Sequence, residues 1–412
     1  MAAIAVLGYG TVGSGVVEVI NTNRIDIESK AGQPIDIKYV LDLRDFPNDP
    51  VQKIITHNYD DILNDPTVEV VVEVMGGTNP AYSFVKSALQ KGKSVCTSNK
   101  ELVAAHGGEL MRIAKENNVN FLFEASVGGG IPIIRPINRS ITSDKIEKIE
   151  GILNGTTNYM LSKMSMEGLE YNDVLSDAQA KGYAERNPDA DVEGYDACRK
   201  IAILASLATE KTIDFNDIYT EGITNISKVD IDYVKKMGGS IKLLATAQFD
   251  KNKVWARVAP TIVQNENPLS MVNNVFNAIL LKGNMLGDVM FYGKGAGKLP
   301  TASAVVSDIV DAIKHKHVNL GVAWSEVKQE LINIDEVETK KFVRVEYNNK
   351  EKAIEDVKSV FGIDDIMEFF GLDNEFAFVT NTDKEGNINA KLEQLLNCPG
   401  VIGIINTIRI EG

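Results

Sequence analysis

The sequence predicts an α/β fold built on a doubly wound parallel sheet, with further α+β units downstream. The first apolar run, Ala2–Leu7, has the length of a buried strand and is followed at once by a glycine-rich turn at residues 8–13. Apolar strands then alternate with helical segments as far as about residue 135. Such alternation produces parallel strands with helices on both faces of the sheet.

Each element of this first domain follows from local pattern. Short apolar runs predict strands at residues 2–7, 35–41, 68–75 and 93–97, and amphipathic spacing predicts helices at 14–20 and 81–91. We expect a Rossmann-type domain over residues 1–135, completed by a segment at about 300–330 that includes an apolar helix at 304–313.

The glycine-rich turn reads GYGTVG. A lone GxGxxG is a weak signal, but a strand before it and a helix after it are the context that confirms a dinucleotide site. The glycines permit a tight turn and close approach of the backbone to a pyrophosphate, which binds at the helix N-terminus. The predicted cofactor residues here are Gly8, Tyr9, Gly10, Thr11, Val12 and Gly13.

Side chains at the carboxyl ends of the other strands extend this site. An acid at the end of the second strand usually holds the ribose of NAD, and an arginine accommodates the 2′-phosphate of NADP. Asp42 and Arg44 both occur there, so NAD and NADP stay open. Later strand ends carry Gly77, Thr78, Ser98 and Lys100. A lysine at such an edge, beside the expected nicotinamide, favours a functional role over a solvated surface position.

Composition excludes several classes of protein. A net charge of −14 argues against nucleic acid and anionic membranes as partners. Three separated cysteines and four histidines without zinc spacing argue against disulfides and a metal cluster. No apolar run has the length of a membrane span, and the start lacks a signal-peptide pattern. We therefore expect a cytoplasmic protein.

An acidic segment in the middle of the chain carries the second group of candidates. Glu185 precedes Asp196 and Lys200, which lie four residues apart at the start of an apolar helical pattern. Positions four apart share one helix face. A carboxylate and an amine beside buried packing suit proton transfer, but an ordinary ion pair at a helix start explains the spacing equally well.

Three further segments are rich in glycine. The first two have two interpretations each, and the third has no assigned role from its pattern alone. The triple-glycine turn at residues 128–130 could aim carbonyl oxygens at a hard cation, or join two domains. The segment 151–160, GILNGTTNYM, could bind a small polar ligand through residues such as Gly155 and Thr156, or cap a helix. A third loop, at residues 292–303, leads into an apolar helix.

Over residues 1–330 the chain resembles homoserine dehydrogenase. The resemblance rests on the separated motifs GYGTVG, TSNKELVAAHG, FEASVGGGIPII, GILNGTTNYM, GYAERNPDADVEGYDACRK and YGKGAGKLPTASAVVSDI. It implies NAD(P)-dependent interconversion of L-homoserine and L-aspartate 4-semialdehyde in threonine, methionine and isoleucine biosynthesis. It also implies a substrate-binding, catalytic and dimerisation domain at residues 136–299.

The resemblance assigns roles to particular residues. Lys200 and Lys100 match the catalytic lysines of the family, and Glu185 and Asp196 match acids that hold the homoserine ammonium. Arg44 falls where the family places its 2′-phosphate ligand. Gly295 and Gly297 match a loop that closes over the cofactor. A monovalent cation, sodium, is expected on main-chain oxygens of Glu124, Val127, Gly129 and Ile131.

Residues 340–412 predict a separate ferredoxin-like unit. Strands at 342–347, 375–380 and 401–410 and helices at 352–361 and 388–396 fit a strand–helix–strand–strand–helix–strand order. This unit resembles the ACT regulatory domain that many homoserine dehydrogenases carry. The turn at residues 348–352 lacks the glycine typical of an effector site, so effector binding and dimer contacts alone both stay open.

The whole chain is thus expected to be a monofunctional, homodimeric or homotetrameric enzyme. Two alternatives are a cofactor-binding sensor that has lost catalysis and an oxidoreductase for another semialdehyde. The lysine and acid set Lys100, Glu185, Asp196 and Lys200 argues against the first alternative. The segments 151–160 and 182–196 argue against the second.

Overall fold

The computed structural model describes residues 1–250, 253–369 and 371–411. Their contacts divide the chain into two compact units. The first unit consists of Met1–Ile149, Arg199–Asp217 and Asn277–Gln329. The second consists of the described residues of Glu150–Cys198, Ile218–Phe276 and Glu330–Gly412. The division of the chain into three domains at 1–135, 136–299 and 340–412 stays a prediction.

The regular elements follow in chain order. The strands are β1 Ala2–Leu7, β2 Ile35–Leu41, β3 Ile55–Thr56, β4 Val68–Glu73, β5 Ser94–Thr97, β6 Phe121–Leu122, β7 Ile146–Ile152, β8 Lys211–Thr212, β9 Tyr219–Thr220, β10 Gly239–Asp250, β11 Lys253–Gln264, β12 Phe276–Gly283, β13 Gly287–Lys294, β14 Ser325–Lys328, β15 Glu338–Tyr347, β16 Glu375–Val379, β17 Asp383–Lys384 and β18 Val401–Ile410. The helices are α1 Thr11–Thr22, α2 Arg24–Ala31, α3 Tyr59–Leu63, α4 Ala81–Gln90, α5 Lys100–Glu116, α6 Ala125–Gly128, α7 Gly155–Glu167, α8 Tyr171–Ala180, α9 Asp189–Val192, α10 Tyr195–Thr209, α11 Lys228–Lys236, α12 Lys298–Lys314, α13 Lys350–Phe361 and α14 Glu385–Leu396.

The first unit is organised around a parallel six-stranded sheet in the order β3-β2-β1-β4-β5-β6. This is the doubly wound order in which ligands bind where the strand order reverses. Here that point lies between β1 and β4, directly beyond which the glycine-rich turn begins. The predicted α/β class and its Rossmann-type sheet are confirmed.

The core of this unit explains why strands and helices form where they do. Ile4, Val6, Val70 and Val72 are buried in the central strands, and α1 and α12 pack against one another beside them. Strands covered on both faces need continuous apolar runs, as the sequence provides. The late helix α12 belongs to this unit, and the completion of a Rossmann-type domain by residues 300–330 stays a prediction.

The second unit contains long antiparallel and mixed pairings. β10 and β11 pair antiparallel over their full length, from Gly239 opposite Gln264 to Asp250 opposite Lys253. β18 then pairs parallel with β11 and antiparallel with β15, and β15 pairs antiparallel with β16. The last strand of the chain therefore belongs to the same sheet as the middle strands of this unit.

The C-terminal part of this unit has ferredoxin-like connectivity. β15, α13, β16, α14 and β18 follow in the predicted order, and helices and strands share a buried core that includes Val343, Val357, Phe376 and Leu395. Among the described residues of this part, a two-residue bridge of Met367 with Ala377 represents the second strand. The strand–helix–strand–strand–helix–strand expectation is thus met, with its second strand almost absent.

One local expectation differs from the structure. The apolar run from Phe121 predicts a strand leading into the triple-glycine turn, but β6 ends at Leu122 and the single-turn helix α6 intervenes. Among the residues that the structure describes, no helix has the length and apolarity needed to cross a lipid bilayer.

Candidate active site

The glycine-rich turn joins β1 to α1 in the first unit. Gly8 has a φ of +98°, which favours glycine. A Cβ on Gly13 would lie 1.9 Å from the Gly8 carbonyl oxygen, so only glycine fits there. Thr11, Val12 and Gly13 form the first turn of α1, whose N–H groups have no partner within the helix. A pyrophosphate fits this cradle.

Asp42 and Arg44 form an ion pair beside the glycine-rich turn. The Asp42 carboxylate accepts hydrogen bonds from Tyr9 N (2.8 Å), Arg44 N (3.0 Å), Arg44 Nε (2.9 Å) and Arg44 Nη2 (3.0 Å). The Arg44 guanidinium is the main reason that the pKa of Asp42 is far below its ordinary value. The Arg44 side chain itself is 62% exposed. Asp42 therefore holds Arg44 in place, and the cation is the group presented outward.

The ends of β4 and β5 are tied together by a buried glutamate. Glu73 accepts a hydrogen bond from Thr97 Oγ1 at 2.6 Å, and Thr97 Oγ1 accepts one from Asn99 N at 2.9 Å. Asn99 Nδ2 then donates to the Gly77 carbonyl at 2.6 Å. Burial raises the pKa of Glu73. This network fixes the loop that contains Gly77 and Thr78.

The same asparagine sets the start of α5. Asn99 is the N-cap residue and accepts a hydrogen bond from Leu102 N at 3.1 Å. Ser98 lies just before the cap, and Lys100 is the first residue of the helix. Glu73, Thr97 and Asn99 were not predicted as site residues from the sequence. A lone glutamate at the end of a valine-rich strand and an Asn before a helix were the available signals.

The triple-glycine turn is organised by Glu124. Its carboxylate, 2% exposed, accepts hydrogen bonds from Ile133 N (2.6 Å), Ile134 N (2.8 Å) and Arg135 N (2.9 Å). These N–H groups precede a short π-helical segment, Pro136–Ser140. Because the carboxylate is committed to the backbone, any cation would have to use the main-chain oxygen of Glu124.

The remaining predicted cation ligands lie on this turn. Val127 belongs to α6, and Gly129 follows it with a φ of +56°. A Cβ on Gly129 would lie 2.3 Å from the Gly295 carbonyl oxygen, and Gly130 N donates to the Lys294 carbonyl at 3.1 Å. The turn and the late glycine loop are therefore packed backbone against backbone. Ile131 follows on the same turn and is buried.

That late loop supplies the start of α12. Gly297 is its N-cap residue, with a φ of +120°. Within the described residues, no group of three or more His, Cys, Asp and Glu side chains could hold a metal ion. This finding concerns side chains, whereas the predicted cation ligands are main-chain oxygens.

In the second unit, Asn154 connects the start of α7 to two acids. Its side-chain amide donates to Asp191 Oδ1 (2.7 Å) and Asp196 Oδ2 (2.9 Å). Its side-chain oxygen accepts from Thr157 N at 2.9 Å and so caps α7. The segment 151–160 thus does cap a helix, and the capping residue also contacts the acids. Sequence analysis did not single out Asn154 or Asp191 as site residues.

The other substrate candidates lie close by in the chain. Gly155 and Thr156 begin α7, and Thr156 Oγ1 donates to the Tyr183 carbonyl at 2.6 Å. That hydrogen bond ties the helix start to the loop that carries Glu185. Glu185 itself is exposed, with its carbonyl accepting from Gln179 Nε2 at 3.0 Å.

Helix α10 carries both Asp196 and Lys200. Asp196 is 4% exposed and lies in the first turn, and Lys200 is 8% exposed one turn later. The residues that follow are fully buried: Ile201, Ala202, Ile203, Leu204 and Ala205. The predicted helix is confirmed, and both polar groups are held out of bulk water. Solvated surface lysines do not have this burial.

Comparison with known proteins identifies the family. The family model described as homoserine dehydrogenase, NAD binding domain, matches residues 8–124, and that described as homoserine dehydrogenase matches residues 132–310. The homoserine dehydrogenase of Bacillus subtilis (strain 168) is 38% identical over 427 residues, covering 99% of this chain and 98% of the relative. The chain belongs to the homoserine dehydrogenase family. It is therefore an oxidoreductase with a NAD-binding domain that acts on a CH–OH group.

Solved structures agree with this assignment. A homoserine dehydrogenase from Thiobacillus denitrificans has a TM-score of 0.91 at 33% identity, covering 100% of this chain and 98% of that one. The S. aureus homoserine dehydrogenase at pH 8.5 has a TM-score of 0.82 at 33% identity, covering 100% and 99%. A hyperthermophilic archaeal homoserine dehydrogenase mutant in complex with NADPH has a TM-score of 0.62 at 28% identity, covering 76% and 97%.

Proposed function

We propose that this homoserine dehydrogenase uses Asp196 to hold the substrate ammonium and Lys200 to accept the hydroxyl proton. The observation that carries the proposal is the placement of both buried groups on α10, one turn apart. A helix is a rigid support, so the distance between the ammonium site and the proton acceptor is set by its geometry.

Asn154 supports the substrate role of the acids. It holds Asp191 and Asp196 through one amide group, which brings two carboxylates side by side. A primary ammonium donates three hydrogen bonds and is attracted by negative charge at low dielectric. Glu185, on the neighbouring loop, would hold the substrate ammonium together with Asp196. Gly155 and Thr156, at the start of α7, would contact the rest of the substrate.

The two lysines divide the chemistry at the reacting carbon. The nicotinamide, when bound, exchanges a hydride with the carbinol carbon. Lys200 takes the hydroxyl proton during oxidation and returns it during reduction. Lys100, at the N-terminus of α5, stabilises negative charge that develops on the same oxygen, with the helix dipole acting in the same direction.

We further propose that NADP is the preferred cofactor. Asp42 already accepts four hydrogen bonds from Tyr9 and Arg44, so a ribose hydroxyl would have to compete with an intact ion pair. The exposed, immobilised Arg44 suits a 2′-phosphate. The remaining cofactor contacts would come from residues 8–13, Gly77, Thr78, Ser98, Lys100, Gly295 and Gly297.

A sodium ion is proposed on the main-chain oxygens of Glu124, Val127, Gly129 and Ile131. The support is that the Glu124 carboxylate anchors the turn from inside and leaves its carbonyl as the possible ligand. The turn packs on the Gly295 backbone, so an ion there would also stiffen the predicted cofactor loop.

We also propose a cytoplasmic homodimer or homotetramer. Cys96, Cys198 and Cys398 form no disulfide in the described structure, which suits a reducing compartment. The ferredoxin-like part is proposed to be an ACT-like domain, either binding an amino-acid effector or serving only contacts between subunits. The connectivity of β15 to β18 supports the domain assignment.

The test is formation of NADH and NADPH from L-homoserine at alkaline pH by the wild type and Lys200→Met. We expect kcat to fall at least about 100-fold with the KM for homoserine within about threefold, because general base catalysis is lost while substrate contacts remain. Lys242→Met is the matched control, since Lys242 is a lysine of similar burial in the other unit. Near-normal turnover by Lys200→Met would overturn the assignment. If the wild type forms neither NADH nor NADPH from L-homoserine, the result would favour the alternative of a cofactor-binding sensor.

A further inference from the structure

The last strand of the chain ends in a buried cluster of charges. Arg409, on β18, is 4% exposed and donates to Glu385 through Nε (3.1 Å) and Nη2 (2.5 Å). Its third nitrogen, Nη1, donates to Glu221 Oε2 at 2.6 Å. The same Glu221 oxygen accepts a hydrogen bond from Tyr219 at 3.0 Å. Arg409 is therefore shared between its own ferredoxin-like part and the segment at 219–223.

That segment is held firmly in the sheet on one side. Tyr219 and Thr220 pair parallel with Arg257 and Val258 of β11, and Glu221 N donates to the Val258 carbonyl at 2.8 Å. The backbone on either side of Thr220 is thus fixed by one strand, β11. Its side chain, 32% exposed, is fixed by Arg409.

On its other side the segment supports the turn that precedes α10. Ile223 N donates to the Val192 carbonyl at 2.8 Å. A Cβ on Gly222 would lie 2.3 Å from that carbonyl oxygen, so the two backbones are in direct contact. A Cβ on Gly194, whose φ is +85°, would lie 3.2 Å from the Cγ2 atom of Thr220, so this turn also packs against the Thr220 side chain.

This turn carries the acids. Gly194 N donates a hydrogen bond to the Asp191 carbonyl oxygen at 3.0 Å. Asp196 lies in the first turn of the helix that follows. Asp191 and Asp196 converge on Asn154. An unbroken series of bonds and backbone contacts therefore leads from Arg409 through Glu221 to the two acids, all within the second unit.

We propose that Glu221 is a positioning residue for homoserine binding, because its ion pair with Arg409 fixes the segment that holds the turn before Asp196. The proposal rests on the ammonium-binding role proposed above for Asp196. It assigns the C-terminal strand an indirect part in substrate affinity, exerted through the 219–223 segment. Loss of the pair would let the 219–223 segment shift, and the acids would then meet the substrate ammonium less often in the right geometry.

A second buried arginine in the same unit provides the matched control. Arg344, also 4% exposed, donates to Asp230 Oδ1 at 2.8 Å and to Glu375 Oε2 at 2.8 Å. Glu221→Ala and Glu375→Ala each remove the more exposed of an arginine's two acidic partners and leave the buried one, Glu385 or Asp230, in place. Glu221 belongs to the 219–223 segment next to the acids, whereas Glu375 lies on β16.

The experiment measures KM for L-homoserine, KM for the cofactor, kcat and melting temperature in both variants of the full-length enzyme. We expect Glu221→Ala to raise the KM for homoserine about fivefold, with kcat and the cofactor KM within about twofold. Glu221→Gln, which keeps a hydrogen-bonding side chain, should fall between the wild type and Glu221→Ala. Glu375→Ala should lower the melting temperature about as much as Glu221→Ala does, without changing the KM for homoserine.

A double variant separates this inference from the site assignment. Asp196→Asn alone should raise the KM for homoserine, and adding Glu221→Ala to it should change that KM less than twofold, since both act on one step. Equal KM changes in Glu221→Ala and Glu375→Ala, or fully multiplicative effects in the double variant, would overturn the positioning role. No effect of Asp196→Asn would instead overturn the ammonium-binding role proposed for that acid.

Discussion

Replacing Gly13 by alanine should destabilise the protein even without cofactor. The new Cβ would lie 1.9 Å from the Gly8 carbonyl oxygen, whereas Cβ atoms essentially never approach within 3.0 Å. The turn must therefore open by about 1.1 Å, the difference between those two distances. Helix α1 has little room to retreat, because a Cβ on Gly15 would itself lie 2.9 Å from the Lys298 carbonyl oxygen.

The magnitude follows from the cost of overpacking. A buried steric conflict of this kind costs about 1–3 kcal/mol of folding free energy. With a shift of about 2–4 °C for each kcal/mol in domains of this size, we expect the melting temperature to fall by about 2–12 °C. The measurement is thermal unfolding of the cofactor-free protein.

Gly10→Ala is the matched control within the same motif. Gly10 is exposed, has a φ of −83°, and no atom lies within 4 Å of the Cβ position. Its melting temperature should stay near that of the wild type. The KM for the cofactor should nevertheless rise about tenfold or more, because the methyl group occupies the approach of the pyrophosphate to α1. The steric reasoning is wrong if Gly13→Ala melts with the wild type, or if Gly10→Ala loses as much stability.

Three further predictions concern stability and cofactor choice. Burial lowers the pKa of Lys242 to about 8 from its ordinary 10.5, so the folded protein loses this proton before the unfolded chain does. The free energy of unfolding of the wild type, relative to that of Lys242→Met, should therefore rise with pH between these two values. If the denaturation midpoints of the two proteins change with pH in parallel at pH 8 and above, this prediction is wrong. Arg44→Ala should raise the KM for NADPH about tenfold or more and leave that for NADH nearly unchanged; equal changes would remove the 2′-phosphate role. Glu124→Gln should lower stability by about 1–3 kcal/mol, because its amide would face a backbone donor, and should abolish any stabilisation by sodium over a bulky organic cation.

Much of the fold was predictable because the deciding interactions are local. β1 and β2 were predicted to the residue, because β1 is a continuous apolar run and β2 begins with alternating apolar and polar residues and ends in an apolar run. The glycine-rich turn was equally predictable, because the close backbone contacts in it admit only glycine, and the glycine spacing is visible in the sequence. The buried helix face after Asp196 followed from the same kind of pattern.

Elements that depend on distant partners were not predictable. In the part of the chain that the structure describes, the second ferredoxin-like strand consists of the pairing of Met367 with Ala377, and no alternation in the surrounding sequence marks it. The expected strand after Phe121 gives way to α6, where the Glu124 carboxylate binds three N–H groups about ten residues away. Local propensity is weak compared with such tertiary contacts.

The candidate site divides in the same way. The sequence by itself determined the dinucleotide cradle, the family and the candidates Lys100, Asp196 and Lys200, because those depend on residue type and short spacing. Only the tertiary structure decided that Asn154 joins two acids and that Arg409 reaches the segment beside them. Both contacts link residues far apart in the chain, and chain spacing carries no information about which distant side chains folding brings within hydrogen-bond distance.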